Sequence, residues 1–154
     1  MPERQTMQRA KQDLRRGKSA STAAGEFVRE ELHHIREGKH GARSAKQAIA
    51  IGLSKARRAG VPLEPPERGA RRTKKQASRD RARGRRTSGR SPSRTRSRAT
   101  LRALKHEPGR AASHRALAAH ATSAAGRRTH AARSASARKA ARTRAKTARR
   151  ARRR

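Results

Sequence analysis

Apolar residues recur with a helical period in two segments near the start of the chain. Spacings of three and four in the first segment, about residues 22 to 37, predict an amphipathic helix. We expect Ser21 or Thr22 to cap its start, and Gly38 and Gly41 to mark its end. The apolar positions of this helix are Ala24, Phe27, Val28, Leu32 and Ile35.

The second segment, residues 44 to 60, has clearer start and stop signals for a helix. Ser44 followed three residues later by Gln47 predicts a capping box, and Gly60 before Pro62 predicts the end of the helix. Ile51 falls opposite the main apolar stripe, which indicates a second packing partner and leaves room for a homodimer through this helix. The stripe itself consists of Ala45, Ala48, Ile49, Gly52, Leu53 and Ala56.

A third helix is predicted over residues 3 to 16, where Met7, Ala10 and Leu14 are apolar before Gly17. We therefore expect a small all-α N-terminal module at residues 1 to 60, made of two or three short helices in a helical hairpin. A core of this size gives marginal stability.

The rest of the chain has no comparable apolar period. Residues 61 to 70 form a Pro-rich linker, and residues 71 to 99 are rich in Arg and Ser, which predicts disorder. Residues 100 to 154 are rich in Ala and Arg, so we expect a tail that becomes helical on binding. Breaks are expected at Glu107, Pro108 and Gly109, and again at Gly126. The predicted fold is thus a small helical module followed by a long disordered basic tail.

Charge is segregated along the chain. Residues 68 to 154 hold 31 of the 45 Lys and Arg but two acids, Asp80 and Glu107, so their net charge is 31 − 2 = +29. A block of this charge favours a polyanion as partner. The predicted phosphate contacts are Arg71, Arg72, Lys74, Lys75, Arg85, Arg86, Arg94, Arg96, Arg98, Arg127, Arg128, Arg138, Lys139, Arg142, Arg144, Lys146, Arg149, Arg150, Arg152, Arg153 and Arg154.

These features predict a sequence-independent DNA-binding protein of the histone-like, nucleoid-associated kind, which grips duplex phosphates through its cationic tail. If a third of the +29 engages phosphates, the slope of log affinity against log salt is roughly −9. Arginine suits bidentate phosphate contact, and the chain has no Tyr or Trp for base stacking. Two alternatives stay open: an RNA-binding or RNA-annealing protein, and a protein-interaction module that its tail localises to the nucleoid.

The order of helix, short connection and helix over residues 22 to 59 also invites comparison with helix-turn-helix DNA readers. Arg43, Lys46 and Gln47 would then cluster at the start of the second helix as module contacts. An ordinary helical hairpin with solvated basic residues is the alternative that we favour.

Catalysis and cofactor binding find no support in the sequence. The chain has no Cys, no glycine-rich phosphate loop and no Ser-His-Asp arrangement, since Asp13 and Asp80 are expected in basic, exposed surroundings. Two Glu-x-x-His pairs, Glu30 with His33 and Glu31 with His34, resemble di-metal motifs, but we interpret them as a solvated face and expect no metal; His40 could still complete an adventitious surface site. No apolar run approaches the ~20 residues that span a bilayer, so we expect a soluble, cytoplasmic protein.

The segment GEFVREELHHIREGKHGARSAKQAIAIGLSKARRAG, residues 25 to 60, resembles small bacterial proteins described as DNA-binding or of unknown function. The tail resembles bacterial linker-histone-like nucleoid proteins in composition, although those tails are richer in Lys and in Pro-Ala-Lys repeats. The resemblance implies a cytoplasmic, nucleoid-associated, DNA-binding role without catalytic residues.

Overall fold

A computed structural model describes residues 2 to 86 and 93 to 152, and this part of the chain is helical along most of its length. The prediction of a long disordered basic tail is wrong, because four α-helices occupy the region after residue 70. The helices are α1 (Arg4–Arg15), α2 (Ala20–Arg36), α3 (Ala45–Arg58), α4 (Arg71–Arg85), α5 (Arg94–Lys105), a 3₁₀ helix (Gly109–Ala112), α6 (His114–Gly126) and α7 (His130–Ala151).

The chain divides into two compact units, residues 1 to 117 and residues 118 to 154, with the boundary inside α6. The first unit contains every side chain that is buried in the described residues. Among those residues, no helix is both long and apolar enough to cross a membrane.

Local signals fix the ends of the first three helices. Ser44 Oγ accepts a hydrogen bond from the Gln47 amide at 3.2 Å, which confirms the predicted cap of α3. The cap of α2 is Ser19, whose Oγ accepts from the Thr22 amide at 3.3 Å, so the prediction of Ser21 or Thr22 is wrong. Gly17, Gly38 and Gly60 follow the three helices with φ of 71°, 72° and 92°, a backbone conformation that favours glycine.

The core of the first unit is built mainly from alanine. One apolar cluster joins α1, α2 and α3 around Phe27, which is 1 % exposed. Small side chains let α2 and α3 approach closely: a Cβ on Gly52 would lie 2.7 Å from the Cα of Val28. The buried members of this cluster are Ala10, Ala23, Ala24, Phe27, Ala56 and Val61.

A second apolar cluster brings a distant segment onto the first three helices. Ala111 and Ala112 of the 3₁₀ helix pack with Ile35 of α2 and with Ala42 and Ala48. Backbone bonds fix the same segment, because the Gly41 amide donates to the Leu104 carbonyl at 2.8 Å and the Ala42 amide donates to the Pro108 carbonyl at 3.2 Å. The break predicted at residues 107 to 109 lies between α5 and the 3₁₀ helix, and these backbone bonds hold this connection against the α2–α3 loop.

Helix α4 packs on α3 through a stripe of small and acidic residues. Ala77 and Asp80 are 4 % and 5 % exposed, and a Cβ on Gly84 would lie 2.0 Å from the Arg57 carbonyl oxygen. Residues 77, 80 and 84 follow the i, i+3, i+7 spacing of one helical face. Residues 71 to 85 therefore form a docked helix rather than the predicted disordered segment.

The second packing partner indicated by Ile51 is supplied by this helix. On the Ile51 side of α3, Ser54 donates to the Asp80 carboxylate at 2.5 Å, and Arg58 Nε lies 3.7 Å from that carboxylate. Ile51 itself is half-buried. A homodimer through α3 stays a prediction.

The helices of the second unit are set by local signals. Ser113 Oγ accepts from the Ala116 amide at 3.2 Å at the start of α6, which reaches into this unit, and Thr129 Oγ1 accepts from the Ala132 amide at 3.2 Å at the start of α7. Arg128 donates to the Ala132 carbonyl at 2.9 Å. Since Ala and Arg have high helix propensity, these caps suffice to start helices where we expected helix only on binding.

Candidate nucleic-acid interface

Because α4 packs against α3, it has a buried side and an exposed side. Its buried stripe points at α3, and at 100° per residue the opposite side carries Arg71, Arg72, Lys75 and Arg79. All four are exposed. We call these four residues the α4 cationic face. The helix thus presents a fixed arc of positive charge to solvent.

Two of the acids near this face have partners that lie outside it. Asp80, which is buried, accepts from Ser54 and, at 3.1 Å, from Gln76. Glu64, which is exposed, pairs with Arg81 at 2.5 Å. Because none of these partners belongs to the α4 cationic face, these pairs leave its four cations available to a ligand.

Arg57, by contrast, is a basic residue that is buried in the fold. It is 8 % exposed, and its guanidinium donates to the carbonyls of Leu63 at 3.3 Å and Glu64 at 3.1 Å. Burial lowers the pKa of Arg57, although a guanidinium stays protonated in a protein. This cation holds the 61 to 64 segment against α3 and is not available to phosphates.

The three residues predicted as contacts at the start of α3, Arg43, Lys46 and Gln47, have different roles in the structure. Gln47 Oε1 accepts from the Arg43 amide at 2.8 Å, so this side chain is used in capping. Arg43 and Lys46 are exposed. Reading of bases by Gln47 finds no support in this geometry, whereas phosphate contact by its two basic neighbours remains compatible with it.

Most of the other predicted phosphate contacts lie on helices. Lys74 and Arg85 belong to α4, where Lys74 is half-buried and Arg85 is exposed, and the exposed Arg86 directly follows that helix. The exposed Arg94, Arg96 and Arg98 lie in the first turns of α5. In these helices each cation has a defined direction, which a disordered segment would not give.

The second unit is the most cationic part of the molecule. Residues 118 to 154 contain 13 Lys and Arg and no Asp or Glu. Arg127 and Arg128 precede α7 and Arg152 follows it, while Arg153 and Arg154 lie outside the described residues. The predicted contacts within α7 are Arg138, Lys139, Arg142, Arg144, Lys146, Arg149 and Arg150.

No side chain described in α7 is buried. At 100° per residue, most of its described basic residues lie within about 100° of one another. These are Arg138, Lys139, Arg142, Lys146 and Arg149, while Arg133 and Arg144 lie on the opposite side. One side of the helix therefore carries most of the charge that a polyanion would meet.

Among the exposed arginines that the sequence-based prediction left out, two lie on the surfaces described above. Arg79 completes the α4 cationic face, and Arg133 lies in the first turn of α7. The signal for Arg79 is the helical spacing 71, 75, 79, which becomes visible once the small residues Ala77 and Gly84 are interpreted as a packing stripe.

The acidic residues that we expected in solvent are largely buried. Asp13 is 8 % exposed and bonds Lys18 at 2.7 Å, so the exposed surroundings predicted for Asp13 and Asp80 are wrong. The interpretation of a solvated Glu and His face is also wrong for Glu30 and Glu31, which are 5 % and 0 % exposed. The reason is that this side of α2 faces residues of α1, α3 and the α2–α3 loop.

No family model matches the sequence, and comparisons with curated proteins and with solved structures give no significant match. The resemblance of residues 25 to 60 to small bacterial DNA-binding proteins therefore stays a prediction. Evidence for a function therefore comes from the charges and contacts of the surfaces on α4 and α7.

Proposed function

We propose that this protein binds duplex DNA without sequence preference, as a histone-like architectural protein of the nucleoid. The observation that carries this proposal is the distribution of its charge. Asp80 and Glu64 pair with residues outside the α4 cationic face, while this face and the described basic residues of α7 are exposed. Such surfaces bind a polyanion by neutralising phosphates and releasing counterions.

The dimensions of α7 suit a duplex backbone. Its 22 residues span about 33 Å at 1.5 Å per residue. Duplex DNA offers a negative charge about every 1.7 Å of its axis, so many phosphates lie along that length. If half of the eight bases in α7 and three on α4 engage phosphates, the slope of log affinity against log salt is about −6.

The aromatic content argues against a binder of single strands. Phe27 is the one Phe of a chain that has no Tyr or Trp, and it is buried in the core. Proteins that bind single strands without sequence preference generally stack bases on exposed aromatic rings. This protein lacks that device, so contact with a regular phosphate backbone fits better.

The test is a salt titration of affinity for a duplex DNA of mixed sequence. In the full chain we expect a slope of about −6. The triple variant Arg71→Gln, Lys75→Gln, Arg79→Gln should reduce the magnitude of this slope by about 2.7, at 0.9 per phosphate contact. The matched control removes three exposed cations from α1, with Arg4→Gln, Lys11→Gln and Arg15→Gln, and should leave the slope nearly unchanged.

Deletion of residues 118 to 154 tests the second unit. It leaves α1 to α5 and the 3₁₀ helix in place, and it should lower affinity at low salt by at least about 100-fold. Equal losses in the α4 and α1 triple variants would contradict the proposed surface. Preferential binding of an RNA duplex of equal length would replace DNA by RNA as the partner.

A further inference from the structure

Glu31 is a buried carboxylate whose oxygens lack hydrogen-bond partners. It is 0 % exposed, and within the described part of the chain neither Oε1 nor Oε2 accepts a hydrogen bond. Lys55 lies 2.5 Å from Oε2 and forms an ion pair there without the angles of a hydrogen bond. Oε1 points to a different neighbour, His40 Nε2, at 3.4 Å.

The hydrogen bonding of His40 places a lone pair opposite this oxygen. His40 Nδ1 lies 3.2 Å from the Gly41 carbonyl oxygen, which can only accept, so Nδ1 carries the proton. In the neutral imidazole, Nε2 is then an acceptor. Two acceptors that face each other in a buried place require a cation or a proton between them.

His34 completes the arrangement in the same way. Its Nε2 donates to Glu3 Oε1 at 2.9 Å. The lone pair of neutral His34 is left at Nδ1. Histidine ligands of metals typically donate their other ring nitrogen to a carboxylate or a backbone carbonyl, as His34 and His40 do here.

The spacing of these groups matches a small coordination sphere. One ligand atom from each of Glu31, His34 and His40 lies within 4.8 Å of the others. In a tetrahedral zinc site with bonds of about 2.0 Å, ligand atoms lie about 3.3 Å apart, close to the 3.4 Å between His40 and Glu31.

We propose that Glu31, His34 and His40 bind a divalent transition-metal ion, with Zn²⁺ as the best fit. Two imidazoles and one carboxylate give three protein ligands and leave a fourth position for water. Glu3 and the Gly41 carbonyl orient the two rings as positioning groups. The site joins α2 to the α2–α3 loop, beside the backbone bond from Gly41 to Leu104.

The test uses the full chain, freed of metal by a chelator and then titrated with Zn²⁺ and, separately, with Co²⁺. We expect one tight site per chain, a visible Co²⁺ absorption spectrum of tetrahedral intensity, and a Tm that rises by roughly 10 °C at a 100-fold excess of Zn²⁺ over its Kd. NMR of labelled histidines should show His34 and His40 shifting first among the seven histidines of the chain.

Variants distinguish this site from adventitious binding to surface histidines. His40→Ala should weaken Zn²⁺ binding by about 100-fold or more, since even residues outside the ligand sphere contribute 10- to 100-fold. His33→Ala is the matched control, because His33 lies on α2 next to the proposed ligand His34 and its side chain is 64 % exposed. Glu31→Gln, which keeps the side-chain volume, should abolish the Co²⁺ spectrum while circular dichroism reports that the chain stays folded.

Equal affinity of the His40→Ala and His33→Ala proteins would overturn the proposal, and so would uniform shifts of all histidines. In that case the ion pair with Lys55 is what balances the charge of Glu31. DNA binding through α4 and α7 does not depend on this site, so either result leaves the salt titration unaffected.

Discussion

Helices α4 and α7 are both rich in Arg, yet they differ in what holds them. α4 buries Ala77 and Asp80 and packs Gly84 closely against α3, whereas no side chain described in α7 is buried. Both helices have small residues at helical spacing, but α4 adds an acid, Asp80, that bonds Ser54 of α3. The comparison shows that net charge alone does not decide whether a basic segment packs, because a short stripe of compatible residues is enough.

This difference also separates two ways of presenting charge. The docked α4 turns four cations outward from a packed position, while α7 has most of its cations on one side and no buried side chain among those described. On the proposed DNA duplex, α4 would orient the first unit, and the larger number of cations in the second unit would contribute most of the affinity.

Removing the acid from the packed side of α4 is expected to have the largest effect on stability. Asp80→Ala deletes the partner of Ser54, Gln76 and Arg58, and should cost about 2 to 3 kcal/mol of unfolding free energy. Amide exchange of residues 71 to 85 should rise to the level of α7. Thermal unfolding and exchange measured on the same samples check both expectations.

Glu67→Ala is the control for Asp80→Ala, because it makes the same change in net charge at an exposed position. It should leave the unfolding free energy nearly unchanged. If both variants lose equal stability, Asp80 acts only through the overall charge and the anchoring role is wrong.

A milder disruption adds one methyl group at Gly84. Its Cβ would meet the Arg57 carbonyl oxygen at 2.0 Å, a backbone atom that cannot move aside. Overpacking of about 1 to 3 kcal/mol opposes the gain of roughly 0.5 to 1 kcal/mol that alanine gives inside a helix. We expect Gly84→Ala to destabilise the first unit by about 1 to 2 kcal/mol in urea unfolding.

Gly25→Ala in α2 is the matched substitution, since nothing lies within 4 Å of the added Cβ. It should stabilise the protein by about 0.5 to 1 kcal/mol. Stabilisation of similar size by Gly84→Ala would show that α4 can move away from α3 at little cost.

The apolar period and the glycine stops of residues 4 to 60 were sufficient to predict α1, α2 and α3 within a few residues. Their strong signals are Ser44, Gly17, Gly38 and Gly60. The N-cap of α2 was placed too late because three hydroxyl residues, at positions 19, 21 and 22, compete for the role. Local chemistry thus predicts the existence of these helices better than their ends.

The packing of residues 71 to 112 was missed because its signal is small. Ala77, Gly84, Ala111 and Ala112 bury little area and carry no apolar period against a background of arginine. Sequence analysis named Glu31, His34 and His40 but interpreted them as a solvated face with an adventitious surface site. Spacing along the chain does not show that the α2–α3 loop brings His40 to 3.4 Å from a buried Glu31.

Lowering the pH is expected to have the smallest effect on stability, and it should affect the first unit but not α7. Hydrogen bonds from His34 and from Lys39 lower the pKa of Glu3 and Glu37 below the ordinary value of 4.5. Their contribution to folding is therefore full above that value and is lost as pH falls through the lowered pKa. Residues 118 to 152 contain no carboxylate side chain, so helix α7 should keep its Cα chemical shifts from pH 5 to 3 while signals of the first unit change. The double variant Glu3→Gln, Glu37→Gln should reduce the response of the first unit, which holds all ten Asp and Glu of the chain. Parallel changes in both regions would mean that something other than these carboxylates senses acid.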